Sequence, residues 1–231
     1  MKFLKMTLLA AAASLALAGV ARAEDEGPEI SFNVGVASDY VFRGVSQTDG
    51  KAQVFAGADI SSGIFYAGTW ISNVDFGDST SAEIDGYVGV TPTAGPVSLD
   101  FGALYYGYVN QPSGADYGYW EFKAAASVPA GPATLGAALY YTPDYSGGTG
   151  NATYYEVNAS GSPADKWTIS GALGEQTFDA GGDYTTWNLG VAYAFNDNVS
   201  LDVRYTDNDI DSTCGKICDS RVVATLKATF P

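Results

Sequence analysis

Most of the chain alternates between large apolar side chains and small or polar ones, with a period of two residues. In residues 187–195 every odd position is large and apolar, and every even position is small or polar. Residues 32–42, 199–206 and 221–230 alternate in the same way. Successive side chains of a β-strand point to opposite faces. The pattern therefore predicts strands with one apolar face and one face that carries small, polar and charged residues.

Repeating segments of this kind predict twelve strands. They span residues 30–42, 52–61, 64–73, 82–92, 96–109, 116–128, 133–142, 152–160, 166–175, 184–195, 198–206 and 220–230. In residues 64–73 the two faces cannot be assigned from the pattern alone. Short Gly, Pro, Asn and Asp turns, such as residues 161–165, alternate with longer acidic or Gly-rich links, as is typical of a transmembrane β-barrel. We predict an all-β, transmembrane antiparallel up-and-down β-barrel of about 12 strands, with both termini on the periplasmic side.

The first residues predict export. Lys2 and Lys5 precede an apolar stretch over residues 6–20, and Ala21 and Ala23 are small residues at the two positions that signal peptidase reads. We expect a cleaved secretory signal peptide over residues 1–23 and a single outer-membrane β-barrel domain over residues 24–231. The expected location is the bacterial outer membrane of a Gram-negative cell.

Charge excludes nucleic acid as a partner. The chain has 11 basic and 26 acidic residues, and removal of Lys2, Lys5 and Arg22 with the signal peptide leaves 8 against 26, a net charge of −18. A chain this acidic repels nucleic acid. Aromatic residues nevertheless make up 13% of the sequence, so acids and apolar residues must lie on different surfaces of a folded protein.

Charged residues on the polar face predict a polar lumen, because a dry core does not tolerate unpaired charges. The pore-lining candidates are Asp39, Arg43, Asp59, Asp85, Asp100, Glu121, Lys123, Glu156, Asp202, Arg204, Arg221 and Lys227. These seven acids and five bases favour a mild cation preference. Small lumen residues such as Gly35, Gly57, Gly102, Gly136, Ser170 and Gly190 are expected to leave room for water.

Asp39 and Arg43 are four residues apart on the first predicted strand, so both are expected to face the lumen near the outer mouth. They would contribute to a charged constriction or form a structural ion pair. The sequence leaves these two interpretations equally open.

Aromatic residues at strand ends predict two membrane girdles, because aromatic rings are favoured where hydrocarbon meets lipid headgroups. The girdle candidates are Phe32, Tyr40, Phe42, Trp167, Tyr193, Phe195 and Phe230. The terminal Phe230 also resembles the aromatic residue on which outer-membrane barrels usually end, although Pro231 follows it.

A motif resembles a known family. Residues 38–48 (SDYVFRGVSQT) and 63–76 (GIFYAGTWISNVDF) are similar to the TorF-type porin family, first catalogued as conserved proteobacterial proteins of unknown function (Gcw_chp). The resemblance extends through most of the mature chain and implies an outer-membrane barrel with a channel role.

Few other residue patterns indicate chemistry. The sequence contains no His, so the His-dependent hydrolases known among outer-membrane barrels cannot operate in their usual form, and we expect neither enzyme activity nor a cofactor. Cys214 and Cys218 predict a disulfide in the last outer loop. Asp207, Asp209 and Asp211 resemble the start of a calcium loop, but Ser212 and Cys218 depart from that pattern. No metal site is predicted beyond weak divalent-ion binding that would bridge lipopolysaccharide.

The sequence therefore predicts a passive outer-membrane transport channel, a porin for small hydrophilic solutes or ions. Its expected partners are outer-membrane lipid and lipopolysaccharide, the barrel assembly machinery and small solutes. One alternative is a non-conducting structural or adhesive outer-membrane barrel that acts through its outer loops. A further alternative is a soluble periplasmic barrel that binds an apolar ligand, which would dissolve without detergent.

Overall fold

A computed structural model describes residues 27–231 as a closed antiparallel barrel of twelve strands. The strands are β1 (Glu29–Ala37), β2 (Val41–Phe42), β3 (Val45–Ser46), β4 (Gln53–Ser62), β5 (Phe65–Asn73), β6 (Ala82–Val90), β7 (Thr93–Ala94), β8 (Val97–Val109), β9 (Tyr119–Ala130), β10 (Ala133–Thr142), β11 (Ala152–Ala164), β12 (Trp167–Phe178), β13 (Tyr184–Ala194), β14 (Val199–Asn208) and β15 (Arg221–Phe230). A 3-10 helical segment, Ser212–Cys218, precedes β15. The predicted signal peptide lies outside the described residues.

The wall contains every strand except β2, β3 and β7, and each wall strand pairs with its neighbours in the sequence. The first and last strands close the barrel, with Phe32 opposite Phe230 and Ala37 opposite Thr225. The predicted all-β barrel and its twelve strands are confirmed. Among residues 27–231, no helix is both long enough and apolar enough to cross a membrane.

Two predicted boundaries were wrong. The first strand ends at Ala37 rather than at residue 42, because the chain leaves the wall there. The predicted turn over residues 161–165 belongs largely to β11, which continues to Ala164 through a register shift after Gly161. The turn itself is reduced to Asp165 and Lys166, and Lys166 takes a positive φ of 65°.

Burial is reversed relative to a soluble protein. Large apolar side chains cover the outer surface: Phe65 is 64% exposed and Leu189 is 62% exposed. Buried side chains include charged residues, and Glu121 is fully buried. Alternation across each strand produces this arrangement, and an apolar outer band is what a bilayer requires. In β5 the structure resolves the two faces, since Phe65 and Ile71 are exposed while Tyr66 and Trp70 face inward.

Candidate functional site: a hairpin inside a polar barrel

The first outer loop, residues 38–52, folds back into the barrel. Its central part is a two-stranded hairpin in which Val41 of β2 pairs with Ser46 of β3. Arg43 and Gly44 form the turn, with φ angles of 47° and 83°. The expectation that Asp39 and Arg43 share one strand and one face was wrong, because the strand ends before them and the chain reverses at Arg43. We call residues 38–52 the inner hairpin.

Arg43 reaches the wall opposite β1. Its Nη2 donates to both carboxylate oxygens of Glu121 on β9, at 2.9 and 2.8 Å, and its Nη1 donates to Oε1 of Gln176 on β12 at 3.0 Å. Its guanidinium carbon also lies 5.1 Å from the ring centre of Tyr140 and 4.3 Å from that of Tyr154. Arg43 therefore contacts four successive wall strands, β9 to β12, and the hairpin spans the lumen.

Further contacts hold the base and the turn of the inner hairpin. Asp39 accepts hydrogen bonds from Ser46 and Thr48, both at 2.7 Å, and pairs with Arg221 at 2.5 Å. Asn208 donates through Nδ2 to the carbonyl oxygen of Gly44 at 2.7 Å. These contacts order the loop inside the barrel, so the lumen is narrowed by a fixed element.

The last outer loop braces the inner hairpin from outside. Cys214 and Cys218 form a disulfide with their Cα atoms 5.9 Å apart. The carbonyl oxygen of Cys218 accepts the same Asn208 side chain that holds the hairpin turn, at 3.1 Å. Lys216 pairs with Asp49 at 2.9 Å. The two loops therefore share one set of contacts at the outer mouth.

Exposed ion pairs at this mouth hold two carboxyl groups in their charged form. The hydrogen bond from Lys216 lowers the pKa of Asp49 below its ordinary value. The hydrogen bond from Lys51, at 2.5 Å, lowers the pKa of Asp75 in the neighbouring loop.

Below the inner hairpin lies a cavity of about 310 Å³. The hairpin residues Asp39 to Gly44 line one end of it. Its wall combines aromatic rings with charged groups, and eight of the twelve pore-lining candidates contribute to it: Asp39, Arg43, Asp59, Asp85, Glu156, Asp202, Arg204 and Lys227.

The remaining four candidates form ion pairs inside the barrel or at its outer mouth. Lys123 pairs with Asp100 at 2.5 Å, Glu121 pairs with Arg43, and Arg221 pairs with Asp39. Arg204 and Asp202 form a fourth pair at 3.1 Å. Sequence periodicity placed these groups on the inward face, but it did not indicate which acid pairs with which base.

Lumen glycines do not leave room for water, contrary to expectation. A Cβ placed on Gly57 would lie 2.7 Å from Nδ2 of Asn33, and one placed on Gly190 would lie 2.7 Å from the Arg204 guanidinium. Phe55 covers Gly35, Tyr66 covers Gly102, and Asn158 covers Gly136. Long side chains from the adjacent strand, or in the case of Tyr66 from the strand beyond it, cover these positions, so the glycines serve close packing inside the wall.

Glu83 was not among the predicted pore-lining residues, yet it is 2% exposed and accepts a hydrogen bond from the Tyr40 hydroxyl at 2.6 Å. Its spacing of two residues from Asp85 on the same strand would have placed it on the inward face. Gln176 was not predicted either, and its burial depends on the position of the inner hairpin.

The girdle candidates separate into two groups. Phe32, Trp167, Phe195 and Phe230 are exposed on the outer surface, with exposed fractions of 45 to 49%. Tyr193 packs between Trp167 and Phe195. Tyr40 and Phe42 were wrongly predicted, since both belong to the inner hairpin: Tyr40 is 5% exposed, and Phe42 packs against Tyr106.

Within residues 27–231, no cluster of three or more His, Cys, Asp or Glu residues is suited to a metal ion. Asp207 accepts the Tyr205 hydroxyl at 2.7 Å, and Asp209 accepts the backbone N–H of Thr185 at 2.6 Å. These two carboxylates thus serve loop structure.

Comparison with known proteins assigns the chain to a family. The family described as "Bacterial protein of unknown function (Gcw_chp)" matches residues 21–230. The chain belongs to the Gcw_chp family. Residues 38–48 of this Gcw_chp member belong to the inner hairpin and include its two short strands, β2 and β3. No curated protein gives a significant sequence match.

Two solved structures similar to this Gcw_chp protein are of the KdgM porin. The KdgM porin superposes with a TM-score of 0.60 at 10% sequence identity, over 87% of this chain and 99% of that one. The structure titled "KdgM porin in complex with disordered oligogalacturonate" gives a TM-score of 0.59 at the same identity and coverage. At this identity the likeness establishes the fold alone, a closed antiparallel β-barrel like that of the KdgM porin.

Proposed function

We propose that this protein is an outer-membrane channel through which small hydrophilic solutes or ions diffuse passively, with a mild preference for cations. The observation that carries the proposal is the polar, charged cavity inside a barrel whose outer face is apolar. A buried space lined by charged groups is compatible with water and unsuited to a dry structural core. Diffusion past these charges requires neither a cofactor nor an energy source.

The charge balance of the lumen supports the cation preference. Four ion pairs neutralise Asp39, Asp100, Glu121 and Asp202. The inward acids outside these four ion pairs are Asp59, Glu83, Asp85 and Glu156. Among the inward bases, Lys227 lies outside the four pairs. An excess of acidic over basic side chains in a narrow passage favours cations over anions. Oligogalacturonate, which is polyanionic, is therefore a poor candidate for this lumen.

Single-channel conductance of the refolded mature protein in a planar bilayer under a salt gradient tests the proposal. We expect stable unitary steps and a cation-favouring reversal potential. A chloride-favouring reversal potential would contradict the preference. Two neighbouring charges provide a matched pair of variants: Asp59→Asn should move the reversal potential toward zero, and Lys227→Met should move it further toward cations.

The inner hairpin favours a second candidate, a non-conducting structural or adhesive barrel that acts through its outer loops. Arg43 joins the hairpin to the opposite wall, so the open area of the lumen is small. A protein that folds, as shown by heat-modifiable gel mobility, but gives no conductance would favour this candidate. The TorF-type likeness and export by a cleaved signal peptide remain part of the channel proposal.

A further inference from the structure

One carboxylate oxygen in the cavity wall has no partner. Asp85 lines the cavity and is 8% exposed, and its Oδ1 makes no hydrogen bond. Buried polar atoms are nearly always hydrogen-bonded, since leaving one unsatisfied costs free energy. The other inward acids outside the ion pairs have neutral donors: Asp59 accepts the Tyr87 hydroxyl at 2.5 Å, and Glu156 accepts Asn158 at 2.9 Å. Asp85 therefore keeps one carboxyl oxygen that no donor of the described chain satisfies.

Aromatic rings surround this carboxylate. Asp85 lies between Trp70 on β5 and Tyr106 on β8 in the strand register, and Tyr87 follows on the same face. All three aromatic side chains line the cavity. The inner hairpin adds Tyr40, whose ring centre lies 5.4 Å from that of Trp70. A carboxylate among aromatic faces is the environment that binds an ammonium group, through charge attraction and cation–π contacts.

Asp85 has another carboxyl group as its neighbour on the same face of β6. Glu83 lies two residues away on the same face and accepts the Tyr40 hydroxyl. Glu121, on β9, is paired with Arg43. In the described part of the chain, neither Glu83 nor Asp85 takes part in a salt bridge. Since no cluster there suits a metal ion, an organic cation is favoured over a divalent metal.

We propose that Asp85, with Trp70, Tyr87 and Tyr106, forms a lumen subsite for an organic ammonium group, either a protonated amine or a quaternary ammonium. The subsite lies just below the inner hairpin, where a cationic solute would pause on its way through the barrel. This inference rests on the proposed channel function, because the barrel supplies the route by which the solute reaches the site.

Isothermal titration of the folded mature protein in detergent micelles, with tetramethylammonium chloride as the probe and sodium chloride at matched ionic strength as the reference, tests the subsite. We expect saturable binding that Asp85→Asn weakens by about tenfold or more, because it removes the charge and keeps the shape. Glu175→Gln is the matched control: it removes one carboxylate from the exposed face of β12 and should leave the dissociation constant within about twofold.

Absence of saturable binding to the unaltered protein, or equal binding by Asp85→Asn, would overturn the subsite. If Asp85→Asn does not reach the heat-modifiable folded form, Trp70→Leu provides the second measurement, with an expected weakening of about fivefold from loss of the cation–π contact; unchanged binding there would also overturn it. Binding in micelles needs no conduction. Binding without conductance would thus refute the channel and retain the subsite, and conductance without binding would do the reverse.

Discussion

The barrel wall and the inner hairpin are held by different kinds of contact. Each wall strand pairs with its sequence neighbour through a continuous backbone ladder, and only the β1–β15 pair joins distant residues. The hairpin has a backbone ladder of two residue pairs. Its position depends on side chains, including Arg43 to Glu121 over 78 residues and Asn208 to Gly44 over 164 residues.

Because of this difference, the wall should tolerate single substitutions and the inner hairpin should be sensitive to them. A backbone ladder distributes stability over many hydrogen bonds, so no single wall side chain decides the register. The hairpin concentrates its anchoring in a few buried polar contacts, and loss of one partner leaves the other buried and unsatisfied. Single substitutions should therefore move the hairpin while leaving the barrel closed.

The largest expected effect comes from Arg43→Ala. It leaves Glu121, which is fully buried, without its charged partner, at a cost of about 3 kcal/mol to hairpin docking. We expect the hairpin to leave the lumen and the unitary conductance to rise by about twofold or more, while heat-modifiable mobility stays normal. Arg204→Ala is the control, because Arg204 pairs with Asp202 in the wall and does not hold the hairpin. An unchanged conductance for Arg43→Ala would show that the hairpin is held by other contacts.

The outer face of the wall gives the next largest effect. Leu189 is at the middle of β13 and 62% exposed, so Leu189→Arg would place a charge in the bilayer midplane and cost about 2–4 kcal/mol. Folding equilibria in lipid vesicles with urea should show this loss, with single-channel conductance close to that of the unaltered barrel. Leu189→Met is the matched control of similar size without charge. Equal stability of the two variants would contradict the lipid-facing assignment.

Gly44→Ala is expected to have a smaller effect. Gly44 has a φ of 83°, and a Cβ there would approach Oγ1 of Thr186 to 2.6 Å. Alanine adds backbone strain of about 1–2 kcal/mol in the left-handed region, together with this clash. Hydrogen exchange of residues 38–52 should quicken. Gly63→Ala separates the two causes, since Gly63 has a φ of 58° in an open turn with nothing near its Cβ; similar local destabilisation in both variants would show that the clash is irrelevant.

The smallest effect concerns pH. The pKa values of Asp49 and Asp75 are lowered in the folded protein by their lysine partners. The stability that these two ion pairs add to the folded loops is fully present above the unfolded pKa of an aspartate, about 3.9. It is lost as the pH falls through the lower pKa of the folded protein. The protection of outer-loop amides from hydrogen exchange, relative to the intrinsic rate at each pH, should therefore fall below about pH 4, more in low salt than in high salt. Lys216→Met should remove the Asp49 part of this dependence; an unaltered pH profile would argue against the pair.

Sequence periodicity predicted the wall well because alternation is a local property of each strand. The strand over Ala133–Thr142 was predicted to the residue, and other boundaries moved by a few positions. The inner hairpin was not predicted, because Tyr40 and Phe42 continue the alternation of β1 although the chain has already left the wall. What takes them inward is contact with residues of other strands: Tyr40 contacts Trp70 and Glu83, and Phe42 contacts Tyr106. No local pattern encodes these contacts.

The period of two predicted which charged residues face the lumen, but not which acid pairs with which base. Inward charges such as Lys123 and Asp100 follow from the period of two, but their pairing depends on the register between β8 and β9. The prediction that the lumen glycines leave room for water was wrong for the same reason. The space beside a small residue of one strand is occupied by a long side chain of another strand.

The anchors of the inner hairpin also set an order of assembly. Its partners come from β9, β12, β14 and the segment before β15, and Arg221 joins Asp39 across 182 residues. The pair that closes the barrel is just as distant in sequence, with Phe32 opposite Phe230, so loop-closure entropy does not separate the two steps. The hairpin, however, finds all of its partners only when β9, β12, β14 and β15 stand together around one lumen. We expect the cylinder to close around an empty centre and the hairpin to enter afterwards. The width of the passage is thus settled in the final step of maturation, after the barrel is already in the membrane.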